Sequence, residues 1–341
     1  MPGPAKWALP FMLLSAAVVS AAAPRGFLPA QFVLSLDGKT VGILASAEGG
    51  TLVGEVVSRH EESPIAKKHL VNTAHEDLEI QLGLDAERPI YDWVDATWTG
   101  NGQFRQGALT QCARDGSTLG ARQFGASLSE VTFPELSVAS KARGLLTLRL
   151  KPESFNPSKD AAACSKVSAS QKKHWLGGFR FELDGVDSSG VTRVESFTVS
   201  TAAVTATVGQ PRDAALKGNS VTFPNLKLTV AVNKAAEFEK WFVDFVVNGN
   251  SDDKHEKSGA IVLEDAAQKE LARVTLGHVG IRRFSLKNDN ADQTPASYAV
   301  ELYVESMRLS MDGTKPSQRE FATQTAPTKP RPAPALKKHK K

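Results

Sequence analysis

Cysteine is nearly missing from this chain, with two in 341 residues. That excludes a disulfide-dense mini-scaffold, in which several bridges stand in for a core. The two cysteines make no Cys-x-x-Cys, which excludes a zinc ribbon or a dithiol redox centre. The nucleophile elbow Gly-x-Ser-x-Gly, the phosphate loop Gly-x-x-x-x-Gly-Lys and the dinucleotide fingerprint are also missing. No apolar run reaches the roughly 20 residues that a helix needs to span a bilayer. Acids are lacking after Glu320, where Lys329, Arg331, Lys337, Lys338, Lys340 and Lys341 gather. The formal charge of +4 comes from that end, since +4 − 6 = −2 for the remainder. The body therefore offers no basic nucleic-acid surface.

What is present starts with an export signal. Lys6 supplies a positive start, and Trp7 to Val19 is apolar apart from Pro10 and Ser15 before small residues end the run. Val19 and Ala21 suit the positions before a cleavage after Ala21; cutting after Ala23 would place Pro24 at the scissile bond. The expectation is a chain exported to periplasm, envelope or medium, with a membrane anchor as the competing reading. Cys112 and Cys164 are candidates for a disulfide that pins an Ala/Ser/Lys-rich linker onto the first half. The alternative is a buried thiol and an exposed one that never meet, because bridging needs Cα atoms within about 7 Å.

The body says the same thing twice. Leu78-Glu79-Ile80-Gln81-Leu82 followed by Asp92-Trp93-Val94 returns as Leu226-Lys227-Leu228-Thr229-Val230 followed by Lys240-Trp241-Phe242, at one offset (241 − 93 = 148; 226 − 78 = 148). A repeat this long is a duplicated domain rather than a solenoid unit. The division is a signal over 1–23, a β domain over 27–155, a linker over 156–174, a second β domain over 175–312 and a Pro/Lys-rich disordered tail over 313–341. Hydrophobic content suffices for two cores.

Each half reads as short antiparallel strands with one helix, a barrel or sandwich. In the first, Phe32 to Val41 alternates and turns at Asp37-Gly38, a hairpin signal. Gly42 to Val57 continues as strand with a break at Gly49-Gly50, and His60 to Asn72 reads as a long polar loop. Leu78 to Leu84 alternates again. Ile90, Trp93, Val94 and Trp98 lie at helical spacing behind Pro89. Gly107 to Ala113, Arg122 to Val131 and Gly144 to Leu150 supply further strands. The second half repeats the order from Phe179 to Leu309, with Gln210 to Ser220 as its polar loop and Ala235 to Val247 as an amphipathic helix. Trp93, Phe238, Trp241 and Phe242 are expected to anchor the two helices in the core.

This order resembles the tail-tube proteins of contractile phages, relatives of the tube-forming proteins of type VI secretion. The matching features are the opening strand with its Asp-Gly turn (Phe32 to Gly38), the strand pair leading to a polar loop, and the short helix carrying Trp93. Arg105-Gln106-Gly107-Ala108-Leu109 and closing strands ending in Leu145 to Leu150 follow; Lys257-Ser258-Gly259-Ala260-Ile261 stands at the equivalent step of the second half. The resemblance covers nearly all of residues 27–312. It implies a barrel with a flanking helix, in rings that stack into a hollow tube. It also implies that the loop between the second and third strands reaches a neighbouring subunit, here Ser58 to Thr73 and Thr207 to Thr222. A doubled chain would then form a trimeric, pseudo-six-fold ring. The partners expected are further copies of the chain and other tail-like components, with a virion or tail-like particle as the location if the signal is not used.

Two clusters invite a metal reading. His60, His69 and His75 mix with Glu61, Glu62, Glu76 and Asp77, but no His-Glu-x-x-His spacing exists, and a solvated loop of mixed charge is the expectation. Asn288 to Asp292 resembles a calcium loop but lacks its turn glycine, with Ala299 where the bidentate Glu belongs. No catalytic residue, cofactor, metal or small-molecule substrate is expected. The basic tail suits an anionic surface or serves solubility alone. The favoured expectation is a non-enzymatic, oligomer-forming structural protein; the alternative is an exported module binding a surface polymer through its barrel loops.

Overall fold

A computed structural model of the chain describes residues 31–59, 65–84, 86–102, 104–113, 115–139, 144–159, 164, 176–203, 219–287 and 296–311. The expected signal around Ala21 and Ala23, His60, Asn288 to Asp292 and the basic tail lie outside the described residues.

The first half opens with β1 (Gln31–Leu36) and β2 (Lys39–Gly49), joined at Asp37-Gly38 with both residues at positive φ. That is the turn whose twist matches a hairpin. β3 (Leu52–Arg59), β4 (Lys67–His75) and β5 (Leu78–Gly83) follow, then α1 (Arg88–Ala96). Pro89 pre-sets the first turn of α1, and Ile90, Trp93 and Val94 bury its inner face. The helix widens over Thr97–Asn101 and ends where Gly100 takes positive φ. β6 (Arg105–Cys112), β7 (Thr118–Phe133), β8 (Leu136–Ser137) and β9 (Leu145–Ser158) complete this half.

Six of these strands close on themselves in the order β1-β6-β7-β9-β5-β2. Bulges at Gly125/Ala126 and Leu128/Glu130 bend the long β7 enough to meet β9 and shut the barrel. Leu34, Leu36, Ile80, Leu82, Phe124, Leu146, Leu148 and Leu150 fill it.

The second half consists of β10 (Gly178–Leu183), β11 (Val191–Val194), β12 (Phe197–Ala203), β13 (Asn219–Thr222) and β14 (Leu226–Ala231). They lead to α2 (Ala236–Phe242), β15 (Lys257–Glu264), β16 (Glu270–Lys287) and β17 (Ser297–Met311). Six strands run β10-β15-β16-β17-β14-β11, the order of the first barrel strand for strand. This sheet stays open between β10 and β11. Asp184 to Gly190 replaces the tight Asp-Gly hairpin, with the Ser188 hydroxyl donating to the Phe181 carbonyl, and β11 pairs with β8 instead. The described residues are mainly β, with two barrel-like sheets and the short helices α1 and α2, as the alternation in the sequence predicts.

Two findings depart from the sequence reading. The expected polar loop is in part strand: β4 begins at Lys67 and pairs with β3 as a separate two-stranded sheet. Both faces of β4 are exposed, so it carries no apolar alternation to betray it. The halves also share one continuous apolar cluster rather than two, because strands cross between them. β12 and β13 add to the first sheet through β7, in the register Phe197↔Phe133 to Ser200↔Glu130.

Candidate assembly surface

The junction of the halves shows what this surface chemistry does when satisfied. Phe133 of β7 stacks on Phe197 of β12 with centroids 4.8 Å apart. Thr132 and Thr198 hydroxyls meet at 2.8 Å, and the Ser196 hydroxyl donates to the Phe133 carbonyl at 2.7 Å. Trp98, just beyond α1, packs edge-on to Phe223 behind β13. Arg308 of β17 donates twice, at 2.7 Å each, to the carboxylate of Asp95 on α1, which also accepts the Leu309 amide at 3.1 Å. A planar guanidinium forked onto a carboxylate fixes direction as well as distance.

Outside that junction, the β3–β4 hairpin forms a two-stranded sheet of its own among the described residues. Leu52, Val53, Val56, Leu70 and Val71 are all exposed on it. A lone two-stranded ribbon is marginal in water, and exposed strand edges with apolar side chains invite pairing with another chain. Further exposed apolar side chains on the second half are Val243, Val246 and Val247, in the wider helical turn Val243–Val247 that follows α2, and Leu286 of β16. Phe242, only partly buried, contacts Phe284, which stacks on Tyr298 at 4.3 Å.

The expected helix anchors divide. Trp93, Phe238 and Trp241 are buried in the core, and Lys257 lies over the Trp241 ring at 5.4 Å. Phe242 is half-buried at the rim. Cys112 and Cys164 are brought together as a disulfide, Cα to Cα 5.6 Å, in a small cluster with Val33 and Ile43 on the outer side of β1 and β2. Of the histidines, His75 hydrogen-bonds the Gly50 carbonyl through Nδ1, while His69 sits six residues away along the extended β4. At about 3.3 Å per residue the two cannot share one ion.

Other polar groups come together without sequence warning. Arg149 bridges Glu79 and Glu130 at 3.1 Å each, around a shallow pocket of about 230 Å³. The Glu79 hydrogen bond, then the Glu130 charge, push its guanidinium pKa up. Matching ladders place Lys227, Glu301 and Arg283 at these three positions in the second half, each sign reversed. Glu256, His278 and Glu305 bring ligand atoms within 4.8 Å of one another. Both Glu256 oxygens are already engaged, by the Tyr303 hydroxyl at 2.6 Å and by His278 Nδ1 at 2.8 Å. Burial, then that hydrogen bond, push the Tyr303 phenol up. The group reads as a closed hydrogen-bond set holding His278 at positive φ in a bulge of β16.

No protein-family model matches the chain, and no curated protein matches it. Solved structures similar to it include a chain from the PVC sheath–tube complex of an extracellular contractile injection system, in the extended state. That chain has 12% identity and a TM-score of 0.33, over 41% of this chain and 93% of its own length. A chain from the sheath/tube terminator of the same kind of system has 12% identity and a TM-score of 0.32, over 41% of this chain and 99% of its own.

Proposed function

We propose that this protein is a non-enzymatic structural component of tail-tube type, an exported chain in which two copies of one barrel subunit are fused. In this reading three chains close into a pseudo-six-fold ring. The observation that carries it is the β3–β4 hairpin, whose strands project apolar side chains on an open edge. Such a ribbon is stabilised by a partner strand and is a hazard without one. The strand order common to both sheets and the tail-tube resemblance of the sequence support the same reading.

Light scattering on the size-fractionated full chain, followed by electron microscopy, tests the proposal. Concentration-dependent oligomers with ring views are expected. A monomer at every concentration reached would overturn it. The export part has its own check: protein recovered with Met1 intact from the cytoplasm alone would contradict it.

A further inference from the structure

We propose that the β3 strand of one chain adds to the open edge of β16 in a second copy of the chain, repeating between chains the pairing that joins the halves within one. This rests on the self-associating role proposed above and names the surface that would perform it.

Ser46↔Gln81 and Ala47↔Ile80 in the first half correspond to Arg193↔Thr229 and Val194↔Leu228 in the second. Continuing without a gap, Val53↔Ala74 and Glu55↔Asn72 correspond to Ser200↔Thr222 and Ala202↔Ser220. β3 is therefore the counterpart of β12. On the other side, Leu78↔Leu150 corresponds to Leu226↔Leu302, so Glu130↔Arg149 and Thr132↔Thr147 correspond to Arg283↔Glu301 and Ser285↔Ala299. The end of β16 is the counterpart of the end of β7.

Within the chain, β12 pairs with the end of β7. Among the described residues, its counterpart β3 pairs with β4 alone, and β16 runs past β15, whose ladder stops at Lys257↔Val279. Both edges are open there, one on each half. Exposure follows the same correspondence. Val199 is 0% exposed, and its counterpart Leu52 is 56%; Phe133 is 0%, and its counterpart Leu286 is 60%. Trp98 is 3% exposed under Phe223, while Val246, which takes its place on the second helix, is 44%. At these three positions, side chains that the internal junction covers have counterparts left bare at the outer positions. A second copy supplies both, with each chain giving β3 to one neighbour and taking it on β16 from the other. Such a head-to-tail contact uses different surfaces on its two sides and makes a ring when its rotation closes, an open filament when it does not.

The register follows from the internal one. Thr198↔Thr132 through Ser200↔Glu130 becomes Thr51↔Ser285, Leu52↔Phe284 and Val53↔Arg283. The Thr51↔Ser285 pair stands where Thr198 and Thr132 hydroxyls lie 2.8 Å apart, close enough for a disulfide between cysteines.

The test uses the full chain carrying Thr51→Cys and Ser285→Cys, oxidised mildly and mapped by mass spectrometry, with Thr51→Cys/Phe284→Cys as a control slipped by one residue. A one-residue slip turns the side chains to opposite faces. The expected result is a disulfide between chains joining the two substituted positions, absent from the control. In parallel, Leu52→Arg and Leu286→Arg, both at exposed positions, should each weaken association by roughly 30-fold or more. Oligomers that form with neither the link nor sensitivity to these two changes would overturn this interface and leave self-association standing. A link confined within single chains, or a hairpin that binds only lipid vesicles, would overturn it as well. A strictly monomeric chain would remove both proposals together.

Discussion

At the scale of single residues, the side chains that matter most are those that lock one half to the other. Without Arg308, the Asp95 carboxylate loses both guanidinium bonds and keeps the Leu309 amide. Arg308→Ala and Asp95→Ala should each cost about 2 kcal/mol of stability. The coupling in a double-mutant cycle should be about 1–3 kcal/mol, read from urea midpoints. Trp93→Ala, at a fully buried position, should cost about 3–5 kcal/mol in the same assay. Asp187 gives a pH prediction. The Ser189 hydroxyl and amide, then Lys234, hold its carboxyl down at about 2. A carboxyl depressed in the folded state contributes stability above its ordinary value near 4 and loses it as pH falls through the folded value. Asp187→Asn should therefore lower the melting temperature at pH 5, with the difference from wild type fading toward pH 2. An unchanging difference would show that its partners do not act on the charge. Trp93 was readable from the sequence because helical spacing exposes an apolar stripe. Asp95 and Arg308 were not, because 213 residues separate them and only the fold makes them neighbours.

At the scale of elements, the disulfide and the lone hairpin behave oppositely. The bridge closes a loop of 52 residues and restrains the unfolded chain. Replacing Cys112 and Cys164 together with alanine should cost about 2–4 kcal/mol by denaturant titration, with the barrel's strand signature unchanged in circular dichroism. At the junction of β2 and β3, Gly49 has a φ of 87°, and a Cβ there would stand 2.0 Å from the Asp77 carbonyl oxygen. Gly49→Ala should lower stability by about 2 kcal/mol or more, beyond the left-handed penalty alone. The sequence marks Gly49-Gly50 as a break for this reason. It does not mark β4, because a strand bare on both faces has the composition of a loop. Only pairing with β3 distinguishes the two.

At the scale of the whole molecule, strand exchange makes the halves one cooperative body. β8 pairs with β11, β12 pairs with β7, and the apolar cluster runs through both sheets. Calorimetry should give one transition with equal van't Hoff and calorimetric enthalpies; two resolved transitions would contradict a shared core. The sequence by itself determined the strand alternation, the Asp-Gly turn, the two Trp-bearing helices and the repeat offset, because these are local periodicities written in neighbouring residues. It also supplied both cysteines but not their union. Only the tertiary structure decided that one sheet closes while the other stays open, that the hairpins are strands, and that one hairpin is docked while its counterpart is bare. Those outcomes depend on which edges meet in space, and edge pairing is a contest between distant segments that no local pattern records.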